Sequence, residues 1–360
     1  MKNVLVTGGA GFIGSNFVRY LLKVEPEVRV VNLDALTYAG SLENLSDLPD
    51  ERRHIFIHGN ILDQPLLEDL FNRYAIDTVV HFAAESHVDR SIVGPAAFIQ
   101  TNINGTFHLL EAARHAWLQS DRAKDQAALR FHHVSTDEVF GSLLPGEPSW
   151  TEKTPYAPNS PYAASKAASD HLVRAYGHTY GLPYTITNCS NNYGPFQFPE
   201  KLIPLMIVNA LQGKPLPVYG DGKQVRDWLY VEDHCEAIWA VIKNGKPGET
   251  YNIGGGNQPT NLEVVHALCD ALDDQVPASP YKPHRSLIQF VKDRPGHDRR
   301  YAMDATKIQH DIGWQPRHSL EEGLRLTVQW YLEHFDWMMK VSKQPEFKAW
   351  IQANYKEREL

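Results

Sequence analysis

Four glycines, Gly8, Gly9, Gly11 and Gly14, separate an apolar run at 4–7 from a stretch whose apolar residues recur at helical spacing (Phe12, Ile13, Phe17, Val18, Leu21, Leu22). A buried strand that passes through so tight a turn directly into a helix aims backbone N–H groups and the positive end of the helix dipole at one point. Only glycine lets the backbone turn this sharply and come this close to a phosphate. The spacing Gly8-x-x-Gly11-x-x-Gly14 departs from the simplest dinucleotide fingerprint, and glycines alone would suit an ordinary strand–helix turn. A second apolar run at 28–33 ends in Asp34, twenty residues after Gly14. An acidic side chain at that distance accepts hydrogen bonds from the adenine ribose hydroxyls. Strand, glycine turn, helix, strand and acid together commit the chain to an α/β fold that opens on a nucleotide site.

The rest of the first half agrees. Strand-like runs at 4–7, 28–34, 54–58, 78–83, 131–135 and 184–189 alternate with helical patterns at 12–23, 65–73, 95–117 and 161–179. This is the pattern of a doubly wound parallel sheet, Rossmann-like, with ligands at the carboxyl ends of the strands. Beyond about residue 190 Pro and Gly break the chain into short mixed elements, which predicts a smaller C-terminal substrate lobe. The expected division is 1–190 for the NAD-binding domain, 191–335 for the second lobe and 336–360 for a helical tail, with later strands able to return to the first sheet. The charged stretch at 120–129 is expected as a surface insertion. The carboxylate of Asp34 would repel a 2′-phosphate and no Arg follows at 35–38, so NAD is expected rather than NADP.

Bulk properties exclude several classes. A formal charge of -8 argues against nucleic-acid binding, so an anionic substrate needs a local cationic cluster. Three cysteines, Cys189, Cys235 and Cys269, are widely spaced and suit reduced thiols in a cytoplasmic protein. No apolar run is long enough to span a bilayer, and the N-terminus leaves no room for a signal peptide. The 17 histidines are scattered, and the adjacent pair His132 and His133 would face opposite sides of a strand. No metal site is expected.

The strongest catalytic signal is Tyr162-Ala-Ala-Ser-Lys166, preceded by Ser160 and Pro161, a capping residue and a first-turn proline. Tyr162 and Lys166 are then i and i+4 on one helical face. A phenol is too weak an acid to serve as a base near neutral pH. The neighbouring ammonium and the helix end are expected to favour the phenolate.

Taken with GGAGFIG, this pair is similar to the extended short-chain dehydrogenase/reductase superfamily. The segments HFAAESHVDRS (81–91), VSTDEVFG (134–141), SPYAASKAASDHLVRAY (160–176), TNCSNNYGPFQFPEKLIPLMI (187–207), RDWLYVEDH (226–234) and RPGHDRRYAMD (294–304) resemble the dTDP-glucose 4,6-dehydratases within its nucleotide-sugar branch. The resemblance runs from residue 1 to about 335. It implies oxidation at sugar C4 by NAD, loss of water across C5–C6, and return of hydride to C6, yielding dTDP-4-keto-6-deoxyglucose, a precursor of the kind used in dTDP-rhamnose biosynthesis. It further implies Tyr162 as the proton acceptor at the C4 hydroxyl, Glu138 as the base at C5, Asp137 as the acid for the departing hydroxyl, Thr136 as a partner of the C4 oxygen, and Lys166 on the nicotinamide ribose. Asp137 must then stay protonated near neutral pH. Because successive strand residues face opposite ways, the backbone must leave strand geometry at 136–138 for both acids to reach one sugar.

The remaining expectations also come from the resemblance. For NAD they are Gly8, Gly11, Phe12, Ile13, Gly14, Asp34, Leu36, Thr37, Asn60, Ile61, Ala83, Ala84, Ser86, Thr101 and Asn192, besides Tyr162 and Lys166. Asn60 stands where the family usually has Asp, so an acceptor is kept and a charge lost. For the nucleotide-sugar they are Ser86, Thr136, Asn191, Lys201, Leu202, Pro217, Tyr219, Arg226, Asn261, Arg294 and His297. Arg226 and Arg294 suit forked hydrogen bonds to a diphosphate, although Arg226 beside Asp227 would also suit a plain ion pair. A homodimer paired through two helices per subunit is implied. Three other functions share the pattern: the same reaction on UDP-glucose, a nucleotide-sugar 4-epimerase, and, in a different class, a non-catalytic NAD-sensing protein.

Overall fold

The structure is a computed structural model that describes residues 1–48, 52–120, 126–293 and 297–342. The N-terminal elements are β1 (Asn3–Thr7), α1 (Phe12–Val24), β2 (Arg29–Asp34), β3 (His54–His58), α2 (Gln64–Arg73) and β4 (Thr78–His81). They continue with α3 (Val88–Val93), α4 (Pro95–Phe98), α5 (Thr106–Leu118), β5 (Arg130–Thr136), α6 (Pro161–Tyr180) and β6 (Tyr184–Cys189). Next come β7 (Asn191–Tyr193), α7 (Leu202–Leu211), β8 (Leu216–Tyr219), β9 (Trp228–Tyr230), α8 (Val231–Asn244) and β10 (Thr250–Ile253). The chain ends in α9 (Asn261–Gln275), β11 (Ile288–Val291), α10 (Thr306–Ile312), α11 (Leu320–Glu333) and α12 (Phe335–Ser342).

Among the described residues, seven strands form one sheet in the order β10-β6-β5-β4-β1-β2-β3, every pair parallel. Side chains alternate across it, and the two cores follow that parity. Val4, Val6, Val30, Val80 and Val134 pack beneath α1 and α8, whereas Leu5, Val31, Val79, Phe131 and Ile186 pack beneath α2, α5 and α6. The order reverses at β1, which lies between β2 and β4, and that switch point opens the crevice where such sheets bind ligands. The edge strand β10 comes from far along the chain, so the sheet draws on residues on both sides of 190.

A separate core joins α7, α9, α11 and α12 around Ile203, Ile207, Val265, Leu268, Val328 and Met338. Two short parallel pairs, β8–β11 and β7–β9, accompany it. The expected strand at 78–83 ends early, at His81. The expected single helix at 95–117 is not continuous: Pro95–Phe98 gives way to a π-helical turn at Ile99–Gly105 before the α-helix resumes at Thr106. Residues 121–125 of the charged stretch at 120–129 lie outside the described residues, as does 343–360 of the predicted tail.

Candidate active site

A cavity of about 320 Å³ lies at the switch point. Its first wall is the glycine turn. Gly8 has φ +74, and a Cβ there would lie 2.7 Å from the Ala83 nitrogen. A Cβ on Gly14 would lie 2.2 Å from the Gly8 carbonyl oxygen, so the helix starts against the turn with no space for a methyl group. Gly11 is the N-cap of α1 and offers no side chain, so the first N–H groups of the helix have no side-chain cap and face the cavity with Phe12 and Ile13. Asp34, at the end of β2, accepts hydrogen bonds from Ala10 N–H at 2.8 Å and Leu36 N–H at 2.7 Å. Its carboxylate is thereby locked at the cavity edge with acceptor capacity to spare.

A dinucleotide fits this wall. Beyond the uncapped helix start, Ser190 Oγ, Asn191 Oδ1 and Asn192 Oδ1 are buried without a hydrogen-bond partner among the described residues, and all three residues line the cavity. Buried polar atoms left unpaired cost free energy, which ligand hydroxyl or amide groups at these positions would relieve.

The opposite wall carries the chemistry. Thr136, the last residue of β5, is extended at φ -138, ψ 155, and the chain then turns into a 3-10 helix at Asp137–Phe140. The Thr136 hydroxyl caps that turn by accepting the Glu138 N–H at 3.3 Å. The turn supplies the departure from strand geometry that two acids on one cavity require, and Thr136, Asp137 and Glu138 all line it. Asp137 is 2% exposed, and its Oδ2 is buried with no partner among the described residues. Burial, and then the adjacent charge of Glu138, push the Asp137 carboxyl well above the usual range, against a smaller opposing pull from Arg226. The shift is in the direction that an acid donating its proton near neutral pH requires.

Helix α6 starts as its sequence predicts, with the Ser160 hydroxyl accepting the Ala163 N–H and Pro161 in the first turn. Tyr162 and Lys166 reach the cavity from its first two turns. The expected acidification of Tyr162 by Lys166 is absent. Burial pushes the phenol well above its ordinary value, and the charge of Glu138 adds to the rise, while a hydrogen bond with Thr136 opposes it. Lys166 turns its ammonium to the Val134 carbonyl oxygen at 2.9 Å, and both residues line the cavity. The i,i+4 spacing fixed the face and left the reach of the lysine side chain open.

The other predicted residues divide into two groups. Thr37, Asn60, Ile61, Ala83, Ala84, Ser86, Thr101, Asn191, Asn192 and Lys201 line the same cavity. Leu36 does not; it sits at φ +50 behind Asp34, where its N–H holds the carboxylate. Leu202, Pro217, Tyr219, Arg226, Asn261 and His297 also lie off this cavity, in the second lobe. There the Tyr219 and His297 rings meet at 6.1 Å, and the His297 Nδ1 lies 2.6 Å from Asp293. Arg226 is buried, donates to the carbonyl oxygens of Val225 and Asp298, and lies over the Tyr301 ring at 4.0 Å. Its neighbour Asp227, raised to about 7 by burial, accepts the Gly255 N–H. Arg294 lies outside the described residues.

Sequence reasoning missed Glu85, Cys189, Gln197 and Glu200, which also line the cavity. Glu200 is 5% exposed and pairs with Arg90 at 3.3 Å, tying the segment after β7 to α3. A lone glutamate in a loop carries no pattern that would have revealed this. The π-helical turn was also missed; its Asn102 bonds both to Glu85 and to Ser165 on α6, bracing the cavity rim. Turns of this kind often mark functional sites.

Comparison with known proteins agrees with this geometry. The sequence profile of the GDP-mannose 4,6 dehydratase family matches residues 5–327. The dTDP-glucose 4,6-dehydratase 1 of Escherichia coli K12 is 56% identical over 364 residues, covering 99% of each chain. The dTDP-glucose 4,6-dehydratase of Xanthomonas campestris pv. campestris is 60% identical over 343 residues, covering 95% of this chain and 96% of that one. The crystal structure of the dTDP-glucose 4,6-dehydratase of Streptomyces venezuelae, which has NAD bound, superposes with a TM-score of 0.85 at 48% identity, covering 94% of this chain and 99% of that one. With a glycine cradle, an acid pair and a Tyr–Lys helix meeting at one switch point, the chain belongs to that dehydratase family, in the branch of the dTDP-glucose 4,6-dehydratases.

Proposed function

We propose that this protein is an NAD-dependent lyase that converts dTDP-glucose to dTDP-4-keto-6-deoxyglucose and water. The observation that carries the reading is the acid pair beside the Tyr–Lys helix, with Asp137 pushed toward its protonated form and the half-buried Glu138 adjoining it. When bound, NAD supplies a hydride acceptor at sugar C4 and a donor at C6. Tyr162 takes the C4 hydroxyl proton, which requires that Lys166 and the positive nicotinamide ring that NAD would supply offset the burial that raises its phenol. Thr136 is the hydrogen-bond partner of the C4 oxygen. A C4 ketone acidifies the hydrogen at C5, which Glu138 removes. Asp137 gives its proton to the departing C6 hydroxyl, so that water leaves instead of hydroxide. Glu138 returns its proton to C5 as C6 would take back the hydride, and the proton taken up by Tyr162 makes good the one Asp137 gave to the departing hydroxyl.

In this reading the parallel-sheet lobe, 1–190 with its returning strand, holds NAD. The lobe of 191–335 holds the nucleotide, with Lys201 at the shared cavity and Tyr219, Arg226, Asn261, Arg294 and His297 farther out. Exposed Ile92, Val93, Ile99 and Phe107 on the α3–α5 stretch support a homodimer paired through helices. Three buried free cysteines support work in a reducing cytoplasm, and among the described residues no helix is long and apolar enough to cross a membrane. The product would feed a deoxysugar pathway of the dTDP-rhamnose kind.

The test is to offer dTDP-, UDP- and GDP-glucose side by side to the purified protein. Accumulation from dTDP-glucose of a 4-keto sugar, seen by its absorbance in alkali, is expected. Preferential turnover of UDP-glucose would move the assignment to that substrate. Interconversion of 4-epimers without a keto product would overturn dehydration.

A further inference from the structure

Helix α6 carries more than a catalytic pair. Tyr162, Lys166, Asp170 and Arg174 follow one another at i, i+4, i+8 and i+12, so one face of the helix runs from the cavity into the protein as phenol, cation, anion, cation. Lys166 is 4% exposed and Asp170 is fully buried. Between them sits His133, on the face of β5 opposite to His132. Its Nε2 lies 3.4 Å from Lys166 Nζ and 3.2 Å from Asp170 Oδ1.

We propose that Asp170, acting across His133, is the buried counter-ion that holds the Lys166 ammonium in place at the cavity wall, and so is a positioning residue for the Tyr162–Lys166 pair. The inference rests on the dehydratase reading for the role given to Lys166, but not for the pairing itself.

The surroundings leave Asp170 as the anion for this lysine. From β4 and β5, His81 and His133 face Lys166, and burial pushes both imidazoles down, His133 to about 4, so both are neutral. From β6, Cys189 is a neutral thiol, since burial pushes it up. Burial lowers Lys166 as well, and Asp170 is the charge that opposes the loss of its proton. Burial alone would raise Asp170, but the His133 contact, the charge of Lys166 and the Tyr156 hydroxyl hold it below the ordinary range. Asp170 Oδ2 accepts from Ser135 Oγ at 2.9 Å and from Tyr156 Oη at 2.7 Å. Asn188 of β6 approaches the same oxygen at 3.5 Å. Arg174 reaches the carboxylate through Tyr156, donating to that hydroxyl at 2.7 Å. Oδ2 is therefore held by Ser135, Tyr156 and Asn188, while Oδ1, with no hydrogen-bond partner among the described residues, lies 3.2 Å from His133 Nε2.

A structural hub would have the same hydrogen bonds, so the test reads the lysine itself. In protein labelled with carbon-13 at lysine Cε, the resonance that disappears in Lys166→Met is assigned to Lys166, and its shift is followed against pH. Loss of the anion destabilises the charged amine, so Asp170→Asn is expected to lower the titration midpoint of Lys166 by about one pH unit or more, roughly tenfold in proton affinity. A midpoint unchanged to within about 0.3 unit would overturn the proposal.

Thermal unfolding of Asp170→Asn, Lys166→Met and the double variant serves if Asp170→Asn folds poorly. The double variant is expected to be more stable than Asp170→Asn alone, because the uncompensated ammonium is gone. Additive losses would count against the pairing. Failure of the parent to make a 4-keto sugar would refute the dehydratase reading and leave the lysine titration standing; a normal parent with an unmoved midpoint would do the reverse.

Discussion

At the scale of single residues, Asp137 shows how the fold sets an acid against its own preference. The unfolded chain releases this proton in the ordinary carboxylate range, whereas the folded chain retains it to well above that range. As pH rises between the two, the folded state alone holds the proton, and stability falls. Asp137→Asn removes that penalty. Its melting temperature relative to the parent is therefore expected to rise from pH 4 to pH 8, measured by calorimetry without nucleotide-sugar, and a flat or falling difference would show an ordinary acid. Glu138→Gln keeps the shape and removes the base. Turnover of dTDP-glucose should drop by about 100- to 10,000-fold with NAD still retained, read by the alkaline absorbance of product and by the dinucleotide content of the protein. These residue types and their adjacency were legible in the sequence. The state of Tyr162 was not, because burial outweighs the spacing of its lysine, and spacing is all that a sequence shows.

Whole elements were legible where a local pattern and the packing ask for the same thing. The apolar run of β1, the glycine turn and the helical period of α1 all agree, and the structure follows them to within a residue. Gly14→Ala tests that agreement. Its methyl would meet the Gly8 carbonyl at 2.2 Å, so the turn must open. A loss of about 1–3 kcal/mol is expected from overpacking, seen as a lower melting temperature together with weakened NAD binding in equilibrium dialysis. Elements whose form depends on partners were less legible. The stretch 95–117 has a helical pattern throughout, yet it contains a π-helical turn at Ile99–Gly105 that carries Thr101 to the cavity and Asn102 to Glu85 and Ser165. Both conformations satisfy the same apolar period, so the long-range bonds of Asn102 decide between them.

The whole molecule ties its ends together at the cofactor wall. Trp337 of α12 donates from Nε1 to Asn44 Oδ1 at 2.9 Å, and Asn44 Nδ2 donates to the Ala10 carbonyl oxygen at 2.9 Å. Ala10 N–H in turn holds Asp34. Phe196, at φ +65, lies under the Arg19 guanidinium and meets the Trp330 ring tilted and the Trp337 ring edge-on in the same region. A helix near the C-terminus thus braces the first glycine turn. Trp337→Phe keeps the ring and deletes the N–H. Loss of one buried hydrogen bond at this remove should weaken NAD binding by about threefold to tenfold, while turnover at saturating NAD stays near the parent value. Equal affinities in dialysis would show that the helix is packing alone.

By itself the sequence determined the sheet, its dinucleotide end and the chemistry available at it, because strand period, glycine spacing, the Tyr162–Lys166 interval and the Thr136-Asp137-Glu138 triplet are local quantities. Only the tertiary structure decided which strand closes the sheet at β10, which loop brings Glu200 to the cavity, how α12 reaches Asn44, and how burial pushes Asp137 and Tyr162 up while neighbouring groups hold Asp170 down. These follow from distance and desolvation between residues far apart in the chain, and neither quantity exists until the chain has packed.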